Sequence, residues 1–180
     1  QAFVFTIPVS SSENYLGINI FYKIYSSKNK AETDLAALQN RQSALDTLPG
    51  SYIQSYLLSK TGLNYNSISY KDGLIFISPI PLIEKSFAGQ SCSVSFAASK
   101  KAVMQIGNDD KEIYRSAGIA GNLSFYEAPK EGDGDYAGGV LEDSEYFIQF
   151  FAAAYGLDFS NITEIYGNAV YLGLLRISTN

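Results

Sequence analysis

Residues 131–135 read Glu-Gly-Asp-Gly-Asp, and Glu142 and Asp143 follow. Calcium takes about six to eight hard oxygen ligands in flexible geometry, and carboxylates alternating with glycine supply such ligands on a loop. Glu131, Asp133 and Asp135 are therefore the calcium candidates. The spacing does not meet that of an EF-hand, and no bidentate Glu falls at the closing position. A solvated acidic loop is the favoured reading, and no metal or cofactor is assigned. Asp109, Asp110, Glu112 and Glu142 contain possible carboxylate pairs of the kind glycosidases use. Such a pair must face one cleft at a set separation, which spacing along the chain does not supply. Surface charge is the favoured reading here as well.

The remaining chemistry is bounded by what the chain lacks. It has no His, which removes the commonest general base near neutral pH and the commonest metal ligand. Ser-His-Asp and Cys-His hydrolysis and His-ligated zinc fall with it. Cys92 is the only cysteine, so there is no internal disulfide. It lies on the apolar face of an alternating strand, where a thiol behaves as a small hydrophobe. A net charge of −5 disfavours nucleic acid, whose binding rests on neutralising phosphates. No catalytic residue is assigned, and we expect no enzyme. A carbohydrate-active hydrolase using paired carboxylates is the alternative.

The chain carries 14 Tyr and 11 Phe and no Trp, a composition that suits pleated, half-buried surfaces. Tyr114, Tyr126, Tyr136, Tyr155 and Tyr166 fall in or beside loops. An exposed Tyr offers rigid contact area with a polar tip, so Tyr126, Tyr136 and Tyr166 are the candidates for binding a protein or glycan partner. The blander reading places most of them at the edge of the core. Asn122-Leu123-Ser124 and Asn161-Ile162-Thr163 match the glycosylation triplet and are read as incidental.

The positioning elements follow from periodicity. Residues 3–9 read as a first strand, with Pro8 at an edge or bend. Residues 15–25 alternate, with Leu16, Ile18, Ile20, Tyr22 and Ile24 on one face and Asn19, Phe21, Lys23 and Tyr25 on the other. Residues 33–46 change to a helical period through Leu35, Leu38 and Leu45, with Thr33 or Asp34 as cap and Pro49-Gly50 as stop. Residues 52–59 form a short amphipathic segment that could be helix or strand, with helix favoured. Lys71-Asp72-Gly73 predicts a hairpin turn within 67–77. In residues 91–99, Cys92, Val94, Phe96 and Ala98 point inward and the serines outward. A strand at 102–106, a turn at Asn108-Asp109-Asp110 and a return strand at 112–115 follow. Residues 118–139 form the longest loop-like region, in which 123–126 could be a short strand. The chain closes on two apolar strands, 146–155 and 169–177, joined by a polar loop at 156–168. The loops at 118–139 and 156–168 are the candidate binding loops, and deletion of Glu131–Asp135 is expected to leave the fold intact.

These patterns predict a mostly β protein, a single domain over residues 1–180 with a helical insertion. The strand Leu16-Gly17-Ile18-Asn19-Ile20-Phe21-Tyr22-Lys23-Ile24-Tyr25 resembles the third strand of a fibronectin type III or immunoglobulin-like sandwich. Phe147–Gly156 followed by Ile165-Tyr166-Gly167-Asn168-Ala169-Val170 resembles the last two strands. Both patterns together, with a helical insertion between them, resemble uncharacterised spirochaetal envelope lipoproteins. The resemblance implies an immunoglobulin/fibronectin type III-like β-sandwich. It implies export to the periplasm or cell surface, and a lipidated Cys just before Gln1 as membrane anchor. The start at Gln1 rather than Met fits removal of a signal peptide. The expected role is a non-catalytic binding or structural module of the cell envelope.

Overall fold

The computed structural model describes residues 1–44, 50, 52–70, 81–97, 99–115, 123–141 and 144–179. In chain order its elements are β1 (Ala2–Thr6), β2 (Tyr15–Tyr25), α1 (Lys28–Ala44), a π-helical turn at Ile53–Leu57, β3 (Asn66–Ser67), β4 (Ser69–Tyr70) and β5 (Ile83–Glu84). A 3₁₀ turn at Lys85–Phe87 precedes β6 (Ser91–Phe96), β7 (Ala102–Ile106), β8 (Asp109–Tyr114) and β9 (Tyr136–Ala137). The last three strands are β10 (Glu145–Asp158), β11 (Thr163–Tyr166) and β12 (Val170–Ser178).

The strands form two mainly antiparallel sheets. One runs β1-β6-β7-β8-β4. The other is built on the long pair β2 and β10, in register from Tyr25 opposite Phe147 to Gly17 opposite Tyr155, with a bulge at Leu16 before Tyr15 meets Gly156. β12 and β11 both pair with the far edge of β10, and β3, β5 and the parallel β9 pair with β2.

Side-chain alternation explains the layers. Ile18, Ile20, Tyr22 and Ile24 of β2, with Tyr146, Ile148 and Phe150 of β10, meet Cys92, Val94, Phe96, Met104 and Ile106 of the other sheet in one buried core. The opposite faces of the same two strands carry Phe21, Tyr25 and Phe151, which pack under Ala31 and Leu38 of α1 and under Tyr52, Ile53 and Leu57. β2 and β10 are thus buried on both faces, which is why they are nearly continuously apolar.

Several expectations change in detail. The helix begins at Lys28 rather than 33, because the buried Ala31 is its first inward contact and the polar Lys28–Lys30 turn hides it from the apolar period. Thr33 and Asp34 are therefore not caps. The Thr33 hydroxyl donates back to the Asn29 carbonyl at 2.9 Å, and Asp34 turns toward the sheet. The turn after β7 is Gly107-Asn108, which leaves Asp109 and Asp110 inside β8. The last loop is also shorter than expected. β10 extends to Asp158, residues 159–162 make the turn, and β11 uses Thr163–Tyr166 to pair with Tyr155–Asp158. Leu45, Pro49, the turn Lys71-Asp72-Gly73, Ala98, Asn122 and Glu142 lie outside the described residues.

One glycine is required by close approach. β12 carries a bulge opposite Phe150 and Phe151 of β10, which places Leu172 in the core between the two sheets. Gly173 sits there with φ of 148°, and a Cβ on it would lie 2.4 Å from the Phe3 ring. β1 and β12 therefore lie against each other, one in each sheet.

Candidate functional site

The acidic loop is organised around an arginine. Arg115 follows β8 and shares the inward face of that strand with Ile113, two residues earlier. Its side chain is 1% exposed. The guanidinium donates from Nε and Nη2 to both Asp135 oxygens at 2.8 and 2.7 Å. It also donates from Nη2 to Asp133 at 2.8 Å. Asp135 is fully buried and also accepts from the Tyr22 hydroxyl at 2.6 Å. Burial alone would weaken the charge on Arg115, but the two carboxylates more than offset it and raise its pKa. Slight burial opposes the Asp133 carboxylate. The Lys130 amide and Arg115 outweigh that and hold its pKa below the ordinary value.

Two of the three calcium candidates, Asp133 and Asp135, are thus turned onto a guanidinium, and Glu131 is exposed. A buried cation already occupies the place where these two carboxylates converge. Among the described residues no group of three His, Cys, Asp or Glu is arranged to hold a metal ion. The loop is not a free appendage, contrary to expectation: Asp135 is buried and both aspartates tie the loop to the buried Arg115. The signal was legible, since Arg115 falls on the inward parity of β8.

A second polar cluster pins the helical layer. Lys23 donates to Asp34 of α1 at 2.9 Å and to the Leu63 carbonyl at 2.5 Å. The Tyr25 hydroxyl donates to Asp34 at 2.8 Å and lies 2.8 Å from the Tyr65 hydroxyl, which donates to Gln149. Lys23 also stands over the Tyr25 and Tyr65 rings at 5.2 and 5.8 Å. Burial pushes both tyrosine pKa values up. Every group in this cluster is engaged by a neighbour, so it reads as a structural tie.

The three tyrosine candidates are not brought together. Tyr126 donates to the Ala97 carbonyl at 2.8 Å and packs near Phe96. Tyr136 is in β9, opposite Ile24, with its hydroxyl buried. Tyr166 stacks near Phe21 and Tyr155, opposite Tyr155 in the ladder. Tyr155 in turn lies opposite Gly17. Gly17 and Ile24 are separated by about 24 Å along β2, at about 3.4 Å per residue. The loops containing Tyr136 and Tyr166 therefore sit toward opposite ends of the sheet and form no single site. Asp109 and Asp110 are exposed on β8, and Glu112 pairs with Lys101 at 3.4 Å.

The concave surface lies elsewhere. A hollow of about 270 Å³ opens between β1 and β12, lined by Phe5, Thr6 and Pro8 on one side and Val170 and Leu172 on the other. Its floor is Ile18 and the run Ala152-Ala153-Ala154 of β10. Ala152 and Ala154, on the same face as Phe150, leave the space that larger side chains fill elsewhere on this strand, while the Ala153 side chain packs in the opposite layer. A smaller hollow of about 150 Å³ shares Ala154 and continues past Tyr15 to Ile165 and Tyr166. On its rim Val170 is 60% exposed. Val4 is 69% exposed on the outer face of β1. Among the candidate tyrosines only Tyr166 borders this groove. Sequence reasoning passed over the groove because its residues come from β1, β2, β10, β11 and β12, and an alanine run carries no motif. Comparison of the chain with protein-family models, with curated proteins and with solved structures finds no match.

Proposed function

We propose that the chain is a non-catalytic binding or structural module whose contact surface is the apolar groove between β1 and β12. The observation that carries this reading is the open groove itself, apolar along its length and bordered by the exposed Val170. A concave, mostly apolar lining with few polar groups is the usual character of a binding site. The acids, by contrast, offer no paired cleft among the described residues. Asp133 and Asp135 are spent on Arg115, and Asp109 and Asp110 stand on an open strand.

Placement on the cell envelope through an upstream lipidated Cys rests on the resemblance of residues 15–25 and 147–170 to envelope lipoproteins. The immunoglobulin or fibronectin type III likeness has support from one sheet. There β2, β10 and β12 lie side by side, in the manner of strands C, F and G of such domains. The other sheet differs, because β6, β7 and β8 form a consecutive meander beside β1. We read the likeness as one of sheet pattern carried on a distinct strand order.

The test combines an apolar dye with a substrate panel. A dye that fluoresces in apolar pockets is expected to bind the native chain and to lose its signal in Val170→Glu, with no turnover of glycans, esters or peptides. Glycan turnover that disappears when Asp109 and Glu112 are replaced would establish the hydrolase instead.

A further inference from the structure

The hydrogen-bonding phase of β1 is set by its pairing with β6. Ala2 lies opposite Ser95, Phe3 opposite Val94 and Thr6 opposite Ser91. Phe96 donates its amide to the Gln1 carbonyl at 2.8 Å, and Ile7 donates to the Gln90 carbonyl at 2.9 Å. In an antiparallel ladder the directly hydrogen-bonded pairs recur at every second residue. Residues 1, 3, 5 and 7 therefore point their main-chain groups at β6. Those of Ala2, Val4 and Thr6 point the other way, to the outer edge of the sheet. Among the described residues no strand pairs with that edge, and Ala2, Val4 and Thr6 are all exposed.

Open edges are normally blunted by charge, proline or a covering element. β1 has none of these within Ala-Phe-Val-Phe-Thr. The segment is also nearly symmetric about Val4, with Phe on both sides and a small residue at each end. We propose that a second copy of this chain pairs with β1, antiparallel, about a two-fold axis at Val4. This rests on the binding reading above and names the occupant. Val4 then exchanges both main-chain hydrogen bonds with its own copy, and Ala2 exchanges both with Thr6 of the partner. Phe3 meets Phe5 of the partner at the non-hydrogen-bonded positions, where side chains lie closest. No like charges oppose each other anywhere in the pair.

The symmetry favours a second copy over an unrelated strand. An isologous contact requires one patch to complement itself, and both the phase and the sequence of β1 are centred on the same residue. β12 lies against β1 at Gly173 and Phe3, so pairing at this edge brings the partner to the mouth of the groove and shields its apolar lining.

The experiment is sedimentation of the chain across the micromolar range, with Val4→Glu and Val4→Pro as variants. The Val4 amide does not serve the β6 ladder, so proline removes only the outward donor, and glutamate sets two like charges on the axis. Circular dichroism and melting check that each variant folds. A dimer in the unaltered chain that becomes monomeric in both variants is the expected result. Val4→Thr, which keeps the donor and adds no charge, should remain dimeric. A chain that stays monomeric throughout, or a dimer indifferent to Val4→Glu, overturns the proposal. If the monomer still binds the dye in a Val170-dependent way, the binding reading survives and only its occupant is wrong. If dye binding is lost as well, both fail.

Discussion

At the residue scale the molecule is held by a few charges placed where water does not reach. Removing one partner of a buried ion pair leaves the other uncompensated, at a cost of about 3–5 kcal/mol. Asp135→Ala should therefore destabilise strongly in urea unfolding. The double replacement Arg115→Met with Asp135→Leu should cost less than Asp135→Ala alone, because it leaves no stranded charge. Asp133 predicts the acid response. Its folded pKa lies below the unfolded value of 3.8, so its contribution is fully present above 3.8 and is lost as pH falls through the lower folded value. Asp133→Asn should remove that part of the acid-dependent loss of stability, and an unchanged acid profile would contradict the assignment. Cys92 is fully buried, and burial pushes its thiol up to about 11. Native protein should resist a thiol reagent at neutral pH and react once denatured. Rapid native labelling would show that the strand is open.

At the element scale, what was legible depended on whether one element carried the signal alone. The strands 15–25 and 91–96 were readable because alternation within each settles which face is buried, and Cys92, Val94 and Phe96 are buried. The helix was readable in type but not in its start, since Ala31 is a weak apolar mark. Arg115 was readable in parity but not in partner, because Asp133 and Asp135 come from a loop about twenty residues on. The groove was not readable at all, since it exists only once β1, β10 and β12 are assembled. Three predictions belong to this scale. Phe96→Ala should cost roughly 3–5 kcal/mol, as truncation of a buried aromatic does. Gly173→Ala should be destabilising by roughly 1–3 kcal/mol from backbone strain, with displacement of Phe3 added, and a neutral result in thermal unfolding would mean that β1 and β12 are not packed as described. Deletion of Glu131–Asp135 should now unfold the protein rather than spare it, since it orphans Arg115.

At the scale of the whole molecule, two sheets and a helical layer leave one side unfinished. β2 and β10 are covered on both faces and on both edges, whereas among the described residues no strand pairs with the outer edge of β1 and nothing covers the groove beside it. The candidate loops sit toward opposite ends of β2, so a partner that engages a single surface finds it along the strands, not at the tips. The most direct measurement is site-specific photo-crosslinking in intact producing cells, with the reactive residue at Val170 in the groove or at Glu112 on the other side of the β1 sheet. The account predicts a discrete adduct from Val170, abolished when Val4→Glu breaks the pairing of β1 or a bulky residue at Ala154 fills the groove, and none from Glu112. Equal labelling from both positions, or an adduct from Glu112 alone, would contradict it.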